Sequence, residues 1–91
     1  MNSFEVHLSE DAGKFLEKLD LHIKERIETR LRRLVEEPVP KDAKFIKRDD
    51  ENNKVFRYRI GDHRALYMVD ERQQKVLITK IDKRPRIYER M

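Results

Sequence analysis

The stretch Val55-Phe56-Arg57-Tyr58-Arg59-Ile60-Gly61-Asp62-His63-Arg64-Ala65-Leu66-Tyr67 constrains this chain more than any other. Phe56, Tyr58 and Ile60 alternate with Val55, Arg57 and Arg59, the period of a strand with one buried face. Gly61-Asp62 then supplies a two-residue turn of the Gly-X kind, and His63 to Asp70 returns as the partner strand. So short a loop fixes the register: Ile60 faces His63, Arg59 faces Arg64, Tyr58 faces Ala65, Arg57 faces Leu66 and Phe56 faces Tyr67. The spacing predicts one sheet face holding Phe56, Tyr58, Ile60, Ala65 and Tyr67, with Arg57, Arg59 and Arg64 gathered on the other.

What flanks the hairpin sets the fold class. Phe4, Val6 and Leu8 alternate with polar residues as in a half-buried strand, and Ser9 is a good N-cap, with Glu10 and Asp11 in the first turn where the helix dipole favours acids. Ala12, Phe15, Leu16 and Leu19 form an apolar stripe, predicting a helix over 10–19. Asp20 opens a second helix from Leu21 to Glu37, with Ile23, Ile27, Leu31, Leu34 and Val35 on one side, and Pro38 and Pro40 end it. Phe45-Ile46 reads as a short strand and Lys47 to Lys54 as a polar loop. Asp70 to Gln74 is a looser turn, and Val76 to Asp82 is the last strand. The expected class is α+β: an N-terminal strand and a helical hairpin packed on one face of a mainly antiparallel sheet, the other face open.

Ninety-one residues make one small domain, 1–91, with no room for a second lobe. The absence of cysteine excludes a disulfide framework, a zinc ribbon and a thiol nucleophile. His7, His22 and His63 lack metal-ligand spacing, and no HExxH, Gly-rich phosphate loop or GxSxG occurs, so no metal or cofactor is expected. The N-terminus lacks the basic start and apolar core of a signal peptide, and no apolar run approaches a membrane span, so a cytoplasmic protein with no membrane partner is expected.

Charge is distributed unevenly. Residues 1–42 hold 8 Lys+Arg against 10 Asp+Glu, and residues 43–91 hold 14 against 8, so the net +4 resides in the C-terminal half. Like charges facing each other across a sheet oppose pairing by some tenths of a kcal/mol, so Arg59 opposite Arg64 disfavours stability. Arginine matches phosphate with a planar fork of donors and keeps its proton at neutral pH, which makes the triple-Arg face a candidate phosphate site. Solvated sheet-face arginines paired with acids such as Asp62 or Asp82 are the plainer account. The tail adds Lys83, Arg84, Arg86 and Arg90, with Tyr88 as a ring able to stack on a base or to anchor the C-terminus. Lys47 adds a further cation from the loop side.

The ordered set of a strand, a helical hairpin, a Pro-containing break and the segment from Val55 to Met91 resembles the RelE/ParE superfamily of toxins, its RelE branch in particular. The specific part is Tyr58-Arg59-Ile60-Gly61-Asp62-His63-Arg64-Ala65-Leu66-Tyr67, followed by a basic segment ending in Tyr88. The resemblance implies the toxin of a type II toxin-antitoxin system, a ribosome-dependent endoribonuclease that cuts mRNA in the A site and is held inactive by a RelB-like antitoxin. It implies catalytic roles for Arg59, Arg64, Arg84 and Tyr88 and a basic position at Arg57; Arg57, with the nearby cations Lys83, Arg86 and Lys47, is expected to bind the RNA. Relatives carry lysine where this chain has Arg57 and Arg59, which leaves the general base open among Tyr88, His63, Lys44 and Lys47. Alternatives are a non-catalytic ParE-like toxin that binds DNA gyrase, and a degenerate member that only binds RNA. On the enzyme reading, Arg64→Ala abolishes toxicity and leaves the fold intact.

Overall fold

The computed structural model describes residues 3–83. Its elements are β1 (Glu5–Leu8), α1 (Glu10–Glu17), α2 (Leu21–Arg32), a 3-10 turn (Arg33–Val35), β2 (Ala43–Arg48), β3 (Lys54–Ile60), β4 (His63–Asp70) and β5 (Lys75–Lys83). The strands form one sheet in the order β1-β5-β4-β3-β2, antiparallel except for the parallel pairing of β1 with β5.

The β3–β4 hairpin has the predicted register from Ile60↔His63 to Phe56↔Tyr67. Gly61 at φ +60° makes the turn possible; among the described residues only Asn52 and Gln74 share its left-handed backbone, each at another strand-to-strand turn. Ser9 caps α1 as expected, its Oγ accepting from the Ala12 amide at 3.1 Å and donating to the Thr79 carbonyl at 3.0 Å. One hydroxyl thus starts the helix and ties it to β5.

Two element boundaries differ from expectation. The second helix stops at Arg32 and tightens into a 3-10 turn, which drives Leu34 into the core ahead of Pro38. β2 runs to Arg48, through residues that read as loop, because an edge strand carries lysines facing water and their polarity imitates a loop. The true turn is confined to residues 49–53, where the Asp49 carboxylate accepts from the amides of Glu51 and Asn53, both at 2.9 Å.

A bulge sets the faces of β5. Leu66 pairs with Lys80 but Tyr67 with Ile78, leaving Thr79 as the extra residue, so Ile78 and Ile81, three apart, both enter the core. That core joins Ala12, Leu16, Ile27, Leu31 and Leu34 of the helical layer to Phe56, Tyr58, Ile60, Ala65, Tyr67, Val69, Val76, Ile78 and Ile81 of the sheet. Each fully buried large side chain contributes about 1.5–3 kcal/mol. Phe56 stacks on Tyr67 and Tyr58 meets Tyr67 edge-on, while Tyr67 Oη donates to the Pro38 carbonyl at 2.7 Å and pins the connection after α2. Arg30 clamps α2 to β3: Nε donates to Tyr58 Oη, Nη2 donates to Asp42 at 2.8 Å, and the guanidinium lies over the Tyr58 ring. Arg57 and Arg59 lie on the sheet face opposite the one that builds this core.

Candidate nucleic-acid interface

Register arranges the face away from the core in rows across the strands. At the hairpin-turn end stand Arg59, Arg64 and Asp82, successive cross-strand partners. The next row is Lys44, Arg57, Leu66 and Lys80. Below it come Lys47, Val55, Met68, Leu77 and His7, and then Asp70, Lys75 and Glu5. The face therefore grades from cationic at the hairpin turn, through a half-buried apolar strip of Val55, Leu66, Met68 and Leu77, to mixed charge at the opposite end.

The three arginines share this face as the hairpin register required, but not in equivalent states. Arg59 is exposed and Arg57 is half-buried. Arg64 is buried, at 4% exposure, with Nη1 donating to the carbonyls of Gly61 at 3.0 Å and His63 at 2.9 Å. Its charge is held over the turn and contributes a fixed positive field more than a contact surface. Turning back onto its own turn also relieves its opposition to Arg59.

Lys47 is exposed on β2, two rows and about 13 Å along the strands from Arg59 at 3.3 Å per residue. Lys83, exposed at the end of β5, pairs with His63 and alternates with Asp82, so it takes the helix side of the sheet and not the arginine face. Arg84, Arg86 and Tyr88 lie outside the described residues.

His63 is on the helix side, as alternation with Arg64 requires. It is buried at 7% exposure, edge-on to Phe15 with ring centroids 5.8 Å apart, and its Nε2 has no hydrogen-bond partner among the described residues. Burial holds its pKa below the usual 6.5, the Lys83 charge pushes the same way, and Asp62 and Asp82 oppose both. A neutral imidazole enclosed on the helix side cannot reach a strand of RNA lying on the arginine face.

Three features were missed by sequence reasoning. Lys80 joins Lys44, already a candidate, in the Arg57 row, a placement that depends on the Thr79 bulge; Lys80 also pairs with Asp11 of α1. Arg26 of α2 reaches the hairpin turn, since a Cβ on Gly61 would lie 4.0 Å from its Nη1. The apolar strip beside the cations becomes visible in the sequence only once the register of all the strands is known. No cluster able to hold a metal ion occurs among the described residues. A cleft of about 940 Å³ opens elsewhere, between the C-terminal end of α2 and the segment after it, with Arg32, Arg33 and Lys41 set against Glu36, Glu37 and Asp42. No helix of the described residues is long and apolar enough to cross a membrane.

Solved structures with this architecture include the toxin chain of the archaeal RelE-RelB complex from Pyrococcus horikoshii OT3. It is 25% identical, with TM-score 0.81, covering 92% of this chain and 98% of that one. The toxin-antitoxin complex RelBE2 from Mycobacterium tuberculosis matches at 26% identity and TM-score 0.75, covering 90% and 99%. The isolated E. coli RelE toxin shares the fold at 21% identity and TM-score 0.68, covering 97% and 94%. No curated protein sequence matches the chain. Residues 6–88 match the family model of the ParE toxin of the type II toxin-antitoxin system parDE, and with the RelE toxins sharing its architecture, the chain belongs to the RelE/ParE superfamily of type II toxins.

Proposed function

We propose that this toxin is a ribosome-dependent endoribonuclease that cleaves mRNA and is neutralised by an antitoxin of the RelB kind. The observation that carries this reading is the pair of adjacent cationic rows on the sheet face away from the core, exposed Arg59 with buried Arg64 and Lys44 with Arg57. Single-stranded RNA offers a phosphate chain to such a surface, and the apolar strip beside it gives bases a place to rest. In the reaction the 2′-oxygen loses its proton and attacks phosphorus, the P–O5′ bond breaks, and the departing 5′-oxygen takes up a proton. Arg57, Arg59 and Arg64 stabilise the added charge on phosphorus, the largest single contribution in many enzymes, and none of them accepts a proton near neutral pH. The proton acceptor is Tyr88, its phenolate favoured where cations surround it; Arg84 completes the catalytic set with it, and Arg86 and Lys47 bind RNA at its margins.

The RelE-RelB complexes among the structural relatives support the antitoxin partner. Acidic residues laid across the arginine face would block RNA and toxin together. The match to the ParE model favours a second reading, in which the toxin binds DNA gyrase and cleaves nothing. Primer extension on a translated message after induction separates the two: position-specific cuts within codons support the nuclease, and supercoiling changes or DNA breaks without mRNA cuts support the gyrase binder. Translation arrest without cuts leaves an RNA-binding toxin only.

A further inference from the structure

β1 pairs with β5 only from Lys75 to Ile78, so the C-terminal half of β5 has no strand on that side among the described residues. There α1 takes the place of a strand. The Ser9 amide donates to the Ile78 carbonyl at 2.9 Å, the Ser9 hydroxyl to the Thr79 carbonyl at 3.0 Å, and the Thr79 hydroxyl to the Leu66 carbonyl at 3.1 Å. These three bonds fix the Thr79 bulge, and the bulge turns Lys80 onto the face of the arginines. Lys80 thereby ends the row that begins with Lys44 and Arg57, two strands from Arg57 and about 10 Å away at about 4.8 Å per strand. Its side chain is 26% exposed, and its ammonium is paired with the Asp11 carboxylate of α1.

Around this pair lies a pocket of about 300 Å³ ringed by Asp11, Lys14, Lys18, Lys80 and Asp82. Lys14 and the C-cap Lys18 stand one turn apart on α1. Lys14 pairs with Glu10 at 2.9 Å, while Lys18 makes no hydrogen bond or ion pair among the described residues. Asp82 accepts from the Lys83 amide at 2.8 Å, so the acid that meets Lys80 is Asp11, whose side chain is 61% exposed. An ion pair with so exposed a partner is weak, and a phosphodiester is an equally charged acceptor able to replace it.

We infer that this pocket is a second phosphate subsite on the path of the RNA strand: Lys80 and Lys18 bind a phosphodiester neighbouring the one held by Arg57 and Arg59, and Asp11 occupies Lys80 until the RNA displaces it. The identity of the strand rests on the nuclease reading. The RNA then crosses the β-strands from Lys44 past Arg57 to α1, with half-buried Leu66 between the cations as an apolar rest for a base. Asp11 supplies selectivity, because a ligand must bring a full negative charge to take its place on Lys80.

The test titrates the full chain with a short single-stranded RNA whose 2′-oxygens are methylated, so that it binds uncut, at several salt concentrations. In Lys80→Ala affinity should fall about fivefold, and the slope of log affinity against log salt should become shallower by about 0.7, one phosphate contact on a single strand. Asp11→Asn removes the competitor, so RNA should bind about threefold more tightly, and this gain should vanish in the double variant with Lys80→Ala. A merely structural ion pair gives the opposite sign, because loosening α1 would cost stability and would not tighten binding. Lys18→Glu, on an exposed side chain without an ion pair, should weaken binding without moving the melting temperature, and Lys80→Arg should preserve it. The inference is overturned if Asp11→Asn fails to tighten binding, if its gain survives in the double variant, or if Lys80→Ala and Lys18→Glu bind RNA as the parent does. Loss of affinity in Arg59→Ala with those variants unchanged removes the subsite alone. Affinity unchanged in all of them, Arg59→Ala included, removes the nuclease reading with it.

Discussion

Arg59 and Arg64 are direct cross-strand partners, yet Arg59 stands in solvent while the guanidinium of Arg64 is folded onto the Gly61 and His63 carbonyls. On the proposed nuclease reading the pair divides two tasks of a phosphate-binding face: one cation free to move onto a ligand, and one fixed in place by the fold. Arg64→Ala therefore does more than remove a charge. Two charge-assisted hydrogen bonds that close the turn are lost, at a cost of about 1–3 kcal/mol, so the idea that this change leaves the fold untouched no longer holds. Urea unfolding of Arg64→Ala and Arg64→Lys checks this. Lysine should restore part of the RNA affinity through its charge and less of the stability, because an ammonium lacks the planar fork.

Arg59→Ala should behave in the opposite way. Its exposed side chain makes no hydrogen bond or ion pair among the described residues, so stability should change by no more than about 0.5 kcal/mol, and relief of the repulsion with Arg64 favours the fold. RNA affinity should fall, and the slope of log affinity against log salt should become shallower by about 0.7, the value for one phosphate contact on a single strand. Binding measured at several salt concentrations reads both quantities. An unchanged slope places Arg59 outside the RNA interface.

How far the sequence reaches depends on how local each signal is. The Gly61-Asp62 turn is read from adjacent residues, and it carried the whole β3–β4 register and hence the shared face of Arg57, Arg59 and Arg64. The Ser9 cap was legible for the same reason. The Thr79 bulge was not, because it exists only where β5 meets β4, and without it Lys80 and Asp82 cannot be assigned to a face. Burial of Arg64 was equally hidden: alternation gives the face of a side chain but not where a long flexible guanidinium ends. β2 was shortened in the sequence reading because water-facing lysines on an edge imitate a loop.

Ser9 gives a test of how α1 is held to the sheet. Its hydroxyl accepts from Ala12 and donates to the bulge carbonyl at Thr79, so Ser9→Ala removes a cap and a tie at once. The expected loss is about 1–2 kcal/mol, at the upper end for caps. Ser9→Asp keeps the acceptor for the Ala12 amide and cannot donate to Thr79, so it should recover the cap and not the tie. Thermal unfolding of the two variants, with amide exchange at Ala12 and Thr79, resolves the contributions.

His63 should make the fold sensitive to acid. Burial against Phe15 holds its folded pKa below the unfolded 6.5, with Lys83 acting in the same direction and Asp62 and Asp82 against it. Unfolded chains therefore bind the proton first as pH falls. The stabilising contribution of neutral His63 is complete above pH 6.5 and is lost progressively as pH drops from there through the lowered folded value. His63→Phe keeps an aromatic ring against Phe15 and cannot titrate. Unfolding free energies from about pH 7.5 to about pH 5 should decline more steeply for the parent protein than for this variant. Equal slopes would show that His63 is solvated in the folded protein, and with it that α1 does not seal the hairpin turn.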